Sequence, residues 1–121
     1  MIEEEIIKIA ANALNEKKGK ELLAVKVADL TVLSEYFLIC TANSSTQVRA
    51  LCDEVEDKLE EAGITPHHIE GRTTGWVCLD YGSVIIHVFT RTEREFYGLD
   101  KMWSDGEPVD LNDILKSSEE D

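Results

Sequence analysis

The run Val84-Ile85-Ile86-His87-Val88-Phe89 is apolar at positions that point to both sides of an extended chain. A strand made from it has to lie inside a sheet that is covered on both faces, which restricts the chain to layered α+β arrangements. Just upstream, residues 76–81 form a second β-rich run. The link Asp80-Tyr81-Gly82-Ser83 reads as a tight hairpin, because Gly82 takes a positive φ without steric cost. A turn centred between Tyr81 and Gly82 pairs Asp80 with Ser83, Cys78 with Ile85 and Trp76 with His87. One face of the hairpin then carries Trp76, Cys78, His87 and Phe89, and the other Val77, Leu79, Val84, Ile86 and Val88.

The remaining segments supply the cover. Ile2, Ile6, Ile9, Ala10, Ala13 and Leu14 recur at helical spacing and predict an amphipathic helix ending near Gly19 as its C-cap. Residues 22–27 predict a strand, and residues 36–41 a second, more buried one paired antiparallel with it. At Thr41-Ala42-Asn43-Ser44-Ser45-Thr46 small hydrogen-bonding side chains replace the apolar ones, as at a strand-to-helix turn with an N-cap. A helix over about 46–62 follows, with Val48, Leu51, Cys52, Val55 and Leu59 facing inward and its acids facing water. Gly63 ends it. A short strand within 64–71 and a loop at 72–75 lead into the hairpin. Beyond Thr90, Phe96, Leu99 and Trp103 share one side of a helical turn that Gly98 weakens. From Ser104 onward there are seven acids and one lysine, which predicts a loosely held tail with Leu111, Ile114 and Leu115 able to dock as one turn. The chain thus reads as a single domain over residues 1–104 and an acidic C-terminal tail over 105–121.

Twelve basic against 25 acidic residues leave a formal net charge of −13. Phosphate backbones are bound through Lys and Arg, so this balance argues against nucleic acid and favours a basic protein partner, with solubility as the plain alternative. No run approaches a membrane span, the first residues are acidic where a secretory leader is basic, and the expectation is a cytoplasmic protein. Cys40, Cys52 and Cys78 form no CxxC pair and read as reduced core thiols.

Catalytic patterns are weak. No GxxxxGK[ST], no GxGxxG and no alternating pair of carboxylates accompanies Ser44 and Ser45, which read as capping residues rather than phosphate ligands. His67 and His68 are adjacent, so on a strand they point apart and cannot chelate one ion. Cys78 shares a face with His87 but has no third group to orient a base. His87 is either a hydrogen-bonded core histidine or a polar element of a binding face beside Trp76. Trp76, following Gly75 at a strand start, is either core or an interface anchor. Arg94 and Tyr97 fit a structural network or a rim contact equally.

In chain order, Leu38-Ile39-Cys40-Thr41, Ser44-Ser45, the acidic helix, Glu70-Gly71, Trp76, Asp80-Tyr81-Gly82, the run 84–89, then Arg94, Tyr97, Leu99 and Trp103 closely resemble the ribosomal silencing factor family, the Iojap-like proteins, over about residues 2–104. The resemblance implies a mixed five-stranded sheet flanked by helices, nucleotidyltransferase-like but without catalytic carboxylates, and a binding protein with no cofactor and no catalytic residue. It further implies docking on the large ribosomal subunit through ribosomal protein L14, steric exclusion of the small subunit, and repression of translation under nutrient limitation. Trp76, Leu79, Asp80, Tyr81 and Tyr97 are the partner-binding residues it suggests, and a homodimer of the free chain is compatible with it. A nucleotidyltransferase-like enzyme using Ser44, Ser45 and Asp80 is the alternative, and a plain dimeric scaffold a third reading.

Overall fold

The computed structural model describes residues 2–27, 34–71, 75–97 and 106–111, with the side chains of Ile2, Phe96 and Tyr97 outside that description. In chain order the elements are α1 (Ile2–Glu16), β1 (Lys20–Lys26), β2 (Tyr36–Ala42), α2 (Ser45–Glu61), β3 (His68–Glu70), β4 (Trp76–Asp80), β5 (Val84–Thr90), α3 (Arg91–Tyr97) and β6 (Glu107–Val109). The strands form one sheet in the order β3-β4-β5-β2-β1-β6. β2 and β5 run parallel at its centre and the other pairs are antiparallel. The doubly apolar run is therefore a central strand, as its composition demands.

Among the described residues six strands stand in place of the expected five. The extra one is β6, which pairs Val109 with Ala24 and Glu107 with Lys26 at the sheet edge, and Leu111 beyond it is buried. The expectation of a loosely held segment after Ser104 is corrected for this stretch. Three residues with Pro108 carry no period-2 pattern, but Pro has no N–H to donate and an edge strand tolerates it. Ile114 and Leu115 lie outside the described residues.

α1 and α2 cover one face. Ile6, Ala10, Leu14, Val48, Leu51, Val55 and Leu59 meet Leu38, Cys40, Val77, Leu79, Val84, Ile86 and Val88 in one cluster. Fully burying an aliphatic side chain of this size stabilises by roughly 1.5–3 kcal/mol. α2 begins at the N-cap Ser44, whose Oγ accepts from the Gln47 N–H at 3.1 Å, while the Asn43 N–H donates to Gln47 Oε1 at 2.6 Å. It ends with Gly63 at φ +79 and the Ile64 N–H donating back to the Leu59 carbonyl, the αL stop expected of Gly63.

α1 ends differently from expectation. Lys18, not Gly19, takes the left-handed conformation (φ 64), and the Gly19 N–H donates to the Leu14 carbonyl at 2.8 Å. Gly19 is there for space: a Cβ would sit 2.5 Å from Cys40 Sγ and 3.0 Å from the Leu14 carbonyl oxygen. Glycine's lack of a side chain, rather than its φ freedom, lets the chain pass from α1 into β1 against the core.

The hairpin turn is shifted from its expected centre. Gly82 (φ +86) and Ser83 are the two loop residues, with the Tyr81 N–H donating to the Val84 carbonyl at 2.9 Å and the Gly82 N–H to Asp80 Oδ1 at 2.8 Å. Trp76 consequently pairs with Phe89 and Cys78 with His87, two residues from the expected register. Two residues is one full pleat, so every side chain keeps its expected face.

Candidate functional site

Beyond the two-helix layer lies the other sheet face. Val25, Val27, Phe37, Ile39 and Phe89 are buried there, and Leu23, Trp76 and Ile85 are only partly covered. Trp76 opens β4 after Gly75, which is packed tightly: a Cβ there would lie 3.1 Å from Glu93 Cγ and 3.3 Å from Thr90 Oγ1. The Thr90 N–H donates to the Gly75 carbonyl at 2.9 Å, so Trp76 enters the sheet on a fixed backbone.

Its indole is bracketed by two rings. Phe89, directly opposite, meets it edge-on with centroids 6.1 Å apart, and His87, one pleat further along β5, lies at 6.1 Å with a 41° tilt. Trp76 Nε1–H donates to His87 Nδ1 at 3.3 Å, and Cys78 Sγ is 3.4 Å from the same nitrogen. Indole nitrogen only donates, so Nδ1 is the accepting nitrogen and the imidazole carries its proton on Nε2. Phe37 braces the imidazole edge-on at 4.8 Å. Burial depresses the His87 pKa to about 4 and holds the ring neutral.

The Cys78 thiol is pushed up to about 11, first by burial and then by the Glu70 and Asp80 carboxylates. A nucleophilic pair needs a stabilised thiolate beside an imidazolium. Both shifts here run the other way, so this pair is not set up for nucleophilic chemistry. Cys40 and Cys52 are buried, and none of the three cysteines is in a disulfide.

Among the described residues suggested for docking, Leu79 and Tyr81 do not share a surface with Trp76. Leu79 is fully buried on the helix side and Tyr81 is 5% exposed within the same cluster. Both support the hairpin from within, whereas Trp76 and Asp80, at alternate positions of β4, stand partly open on the far face. Asp80 is half-buried and caps the turn through Gly82. The Tyr97 side chain falls outside the described residues. Arg94 is buried, donating to Thr41 Oγ1 at 2.7 Å and to the Glu21 carbonyl at 3.2 Å, with its guanidinium 5.6 Å from the Phe89 ring centre. It belongs to a structural network. Glu21 has φ 51 at the irregular step of β1 between Lys20 and Leu23, and its carboxylate pairs with Arg91. Two arginines of α3 thus hold a strained bulge that no local pattern announces.

The enzymatic alternative loses its geometry. Ser44 follows the end of β2 whereas Asp80 pairs with Ile85 at the start of β5, and Tyr36 at the start of β2 sits beside Val84. Ser44 and Asp80 are therefore at opposite ends of the parallel pair, roughly 20 Å apart at the usual rise per residue. Gln47 and Ser44 already fill the α2 N-terminus. Among the described residues no group of three or more His, Cys, Asp or Glu is placed to hold a metal ion.

Residues 2–121 match the family model described as ribosomal silencing factor during starvation. The chain belongs to this family. A relative named ribosomal silencing factor RsfS in Bacillus subtilis is 39% identical over 93% of this chain and 96% of its own length. Another of that name, in Halalkalibacterium halodurans, is 34% identical over 95% of this chain and 99% of its own. A crystal structure of a Chromobacterium violaceum protein superposes with a TM-score of 0.80 at 34% identity, covering 88% of this chain and 89% of that one. The ribosomal silencing factor match runs through β6, so the family region extends past residue 104.

Proposed function

We propose that this chain silences ribosomes by binding, without chemistry. It docks on the large subunit through ribosomal protein L14 and, standing on the subunit-joining face, excludes the small subunit by volume, which represses translation when nutrients are scarce. The observation that carries this reading is Trp76: a tryptophan left half-buried on the sheet face opposite α1 and α2, held by named contacts, in a chain of a ribosomal silencing factor family. Tryptophan is enriched among residues whose truncation costs an interface most. The net charge of −13 suits approach to a basic ribosomal protein, where it sets rate and orientation more than affinity.

A patch of standard size, on the order of 800 Å² per partner, is enough to hold the domain in place. Silencing then follows from mass action between this protein and the small subunit for one surface. The same open apolar fringe accounts for a homodimer of the free chain, which ribosome docking displaces. No helix among the described residues is long and apolar enough to cross a membrane.

The test is a sucrose gradient of purified subunits with and without excess protein. Whole ribosomes decrease and the protein sediments with the large subunit; unchanged subunit joining overturns the reading. Calorimetry with nucleotide and Mg²⁺ gives no binding heat if the role is not enzymatic.

A further inference from the structure

The imidazole of His87 is placed where an aliphatic side chain would serve the packing better. It is 7% exposed in the central strand, among Phe37, Ile39 and Phe89. Burying a polar ring there is unfavourable unless its nitrogens find partners. One partner is the indole N–H of Trp76, from the neighbouring strand. A tryptophan attached only at its backbone and half open to water retains several side-chain conformers, and ordering it on docking costs affinity.

We infer that His87 is the positioning residue for the docking anchor: by accepting the Trp76 N–H at Nδ1 it sets the indole's orientation before a partner arrives. This rests on the docking reading above. The geometry divides the work. Phe89 stands against the indole from the opposed position, His87 holds its nitrogen from the diagonal one, and Phe37 keeps the imidazole from turning. Cys78 Sγ lies 3.4 Å from the same nitrogen, and once the indole N–H has fixed Nδ1 as the acceptor its thiol can share that lone pair only as a weaker donor. The indole edge remote from the nitrogen is what the partner meets.

Two measurements test this on the full chain. Nitrogen-15 NMR of the unaltered protein shows the His87 ring protonated at Nε2 and bare at Nδ1, with the indole N–H of Trp76, assigned by its loss in Trp76→Phe, protected from solvent exchange. A proton on Nδ1, or an indole N–H exchanging as in free tryptophan, overturns the inference even if every variant misfolds. Binding to purified large subunits is then compared for His87→Gln, which keeps an acceptor, and His87→Leu, which has none. His87→Leu weakens binding about tenfold, and His87→Gln stays within about threefold of the parent. If His87→Leu binds as the parent does, or both variants lose equally, while Trp76→Ala fails to bind, the positioning role is wrong and the docking reading stands. Undiminished binding by Trp76→Ala overturns the docking reading itself.

Discussion

The two faces of the sheet are built on different principles. Against α1 and α2, β4 and β5 present Val77, Leu79, Val84, Ile86 and Val88, all without polar side-chain atoms and nearly all fully buried. On the far face Phe37, Ile39 and Phe89 share space with His87, Thr41 and Arg94, each tied by hydrogen bonds or ring contacts. One side is a packing problem, solved by volume. The other is a polar network inside an apolar layer, solved by partners, and it ends in a half-open tryptophan. Stability resides mainly in the first and the proposed recognition in the second.

The largest expected effect separates them most sharply. Leu79→Ala removes a fully buried side chain from the helix layer and lowers unfolding free energy by about 2–5 kcal/mol, read by urea denaturation. The fraction still folded binds large subunits with unchanged affinity; weakened binding would show that the two faces are not independent.

A pH titration examines the polar face alone. The folded His87 pKa of about 4 lies below the ordinary value of 6.5. Between those values the unfolded chain takes up a proton that the folded one refuses, so stability is full above about pH 6.5 and falls as the pH drops toward 4. The difference amounts to on the order of 3 kcal/mol, and His87→Gln removes it from the stability-against-pH curve.

Trp76→Ala inverts the pattern of Leu79→Ala. Binding weakens by about 2 kcal/mol or more, roughly thirtyfold or greater, in co-sedimentation with large subunits. Unfolding free energy changes by less than it does in Leu79→Ala. The smallest effect belongs to neither face: Ser44→Ala deletes the α2 cap and costs about 1 kcal/mol of stability with no change in ribosome binding. A loss of binding there would revive a role for the α2 N-terminus.

Much of the fold was legible because it depends on local pattern. The apolar run 84–89 dictated a central strand, the spacing of Val48 to Leu59 the inner face of α2, and Gly63 its stop. Both hairpin faces were readable although its register was not. The turn uses Gly82 and Ser83 through an Asp80 side-chain hydrogen bond, and a two-residue offset leaves the alternation of faces untouched. β6 was not readable: three residues with a proline carry no period, and they are a strand only because β1 has an open edge there.

Of the candidate site, the order of motifs along the chain points to the family and, through that resemblance, to Trp76. Which of its neighbours reach the surface was decided by the tertiary structure. Leu79 faces the helices by the alternation that the sequence already shows, but that Tyr81, one residue past β4, is buried in the same cluster and Asp80 is engaged by the turn appears only in the fold. The bracing of Trp76 by His87, and the grip of Arg94 and Arg91 on the Glu21 bulge, join residues from separate elements. Composition and spacing determine which side chains are hidden, since hydrophobic burial is non-directional. Hydrogen bonds between distant segments require specific distances and angles, and these exist only once the sheet has assembled.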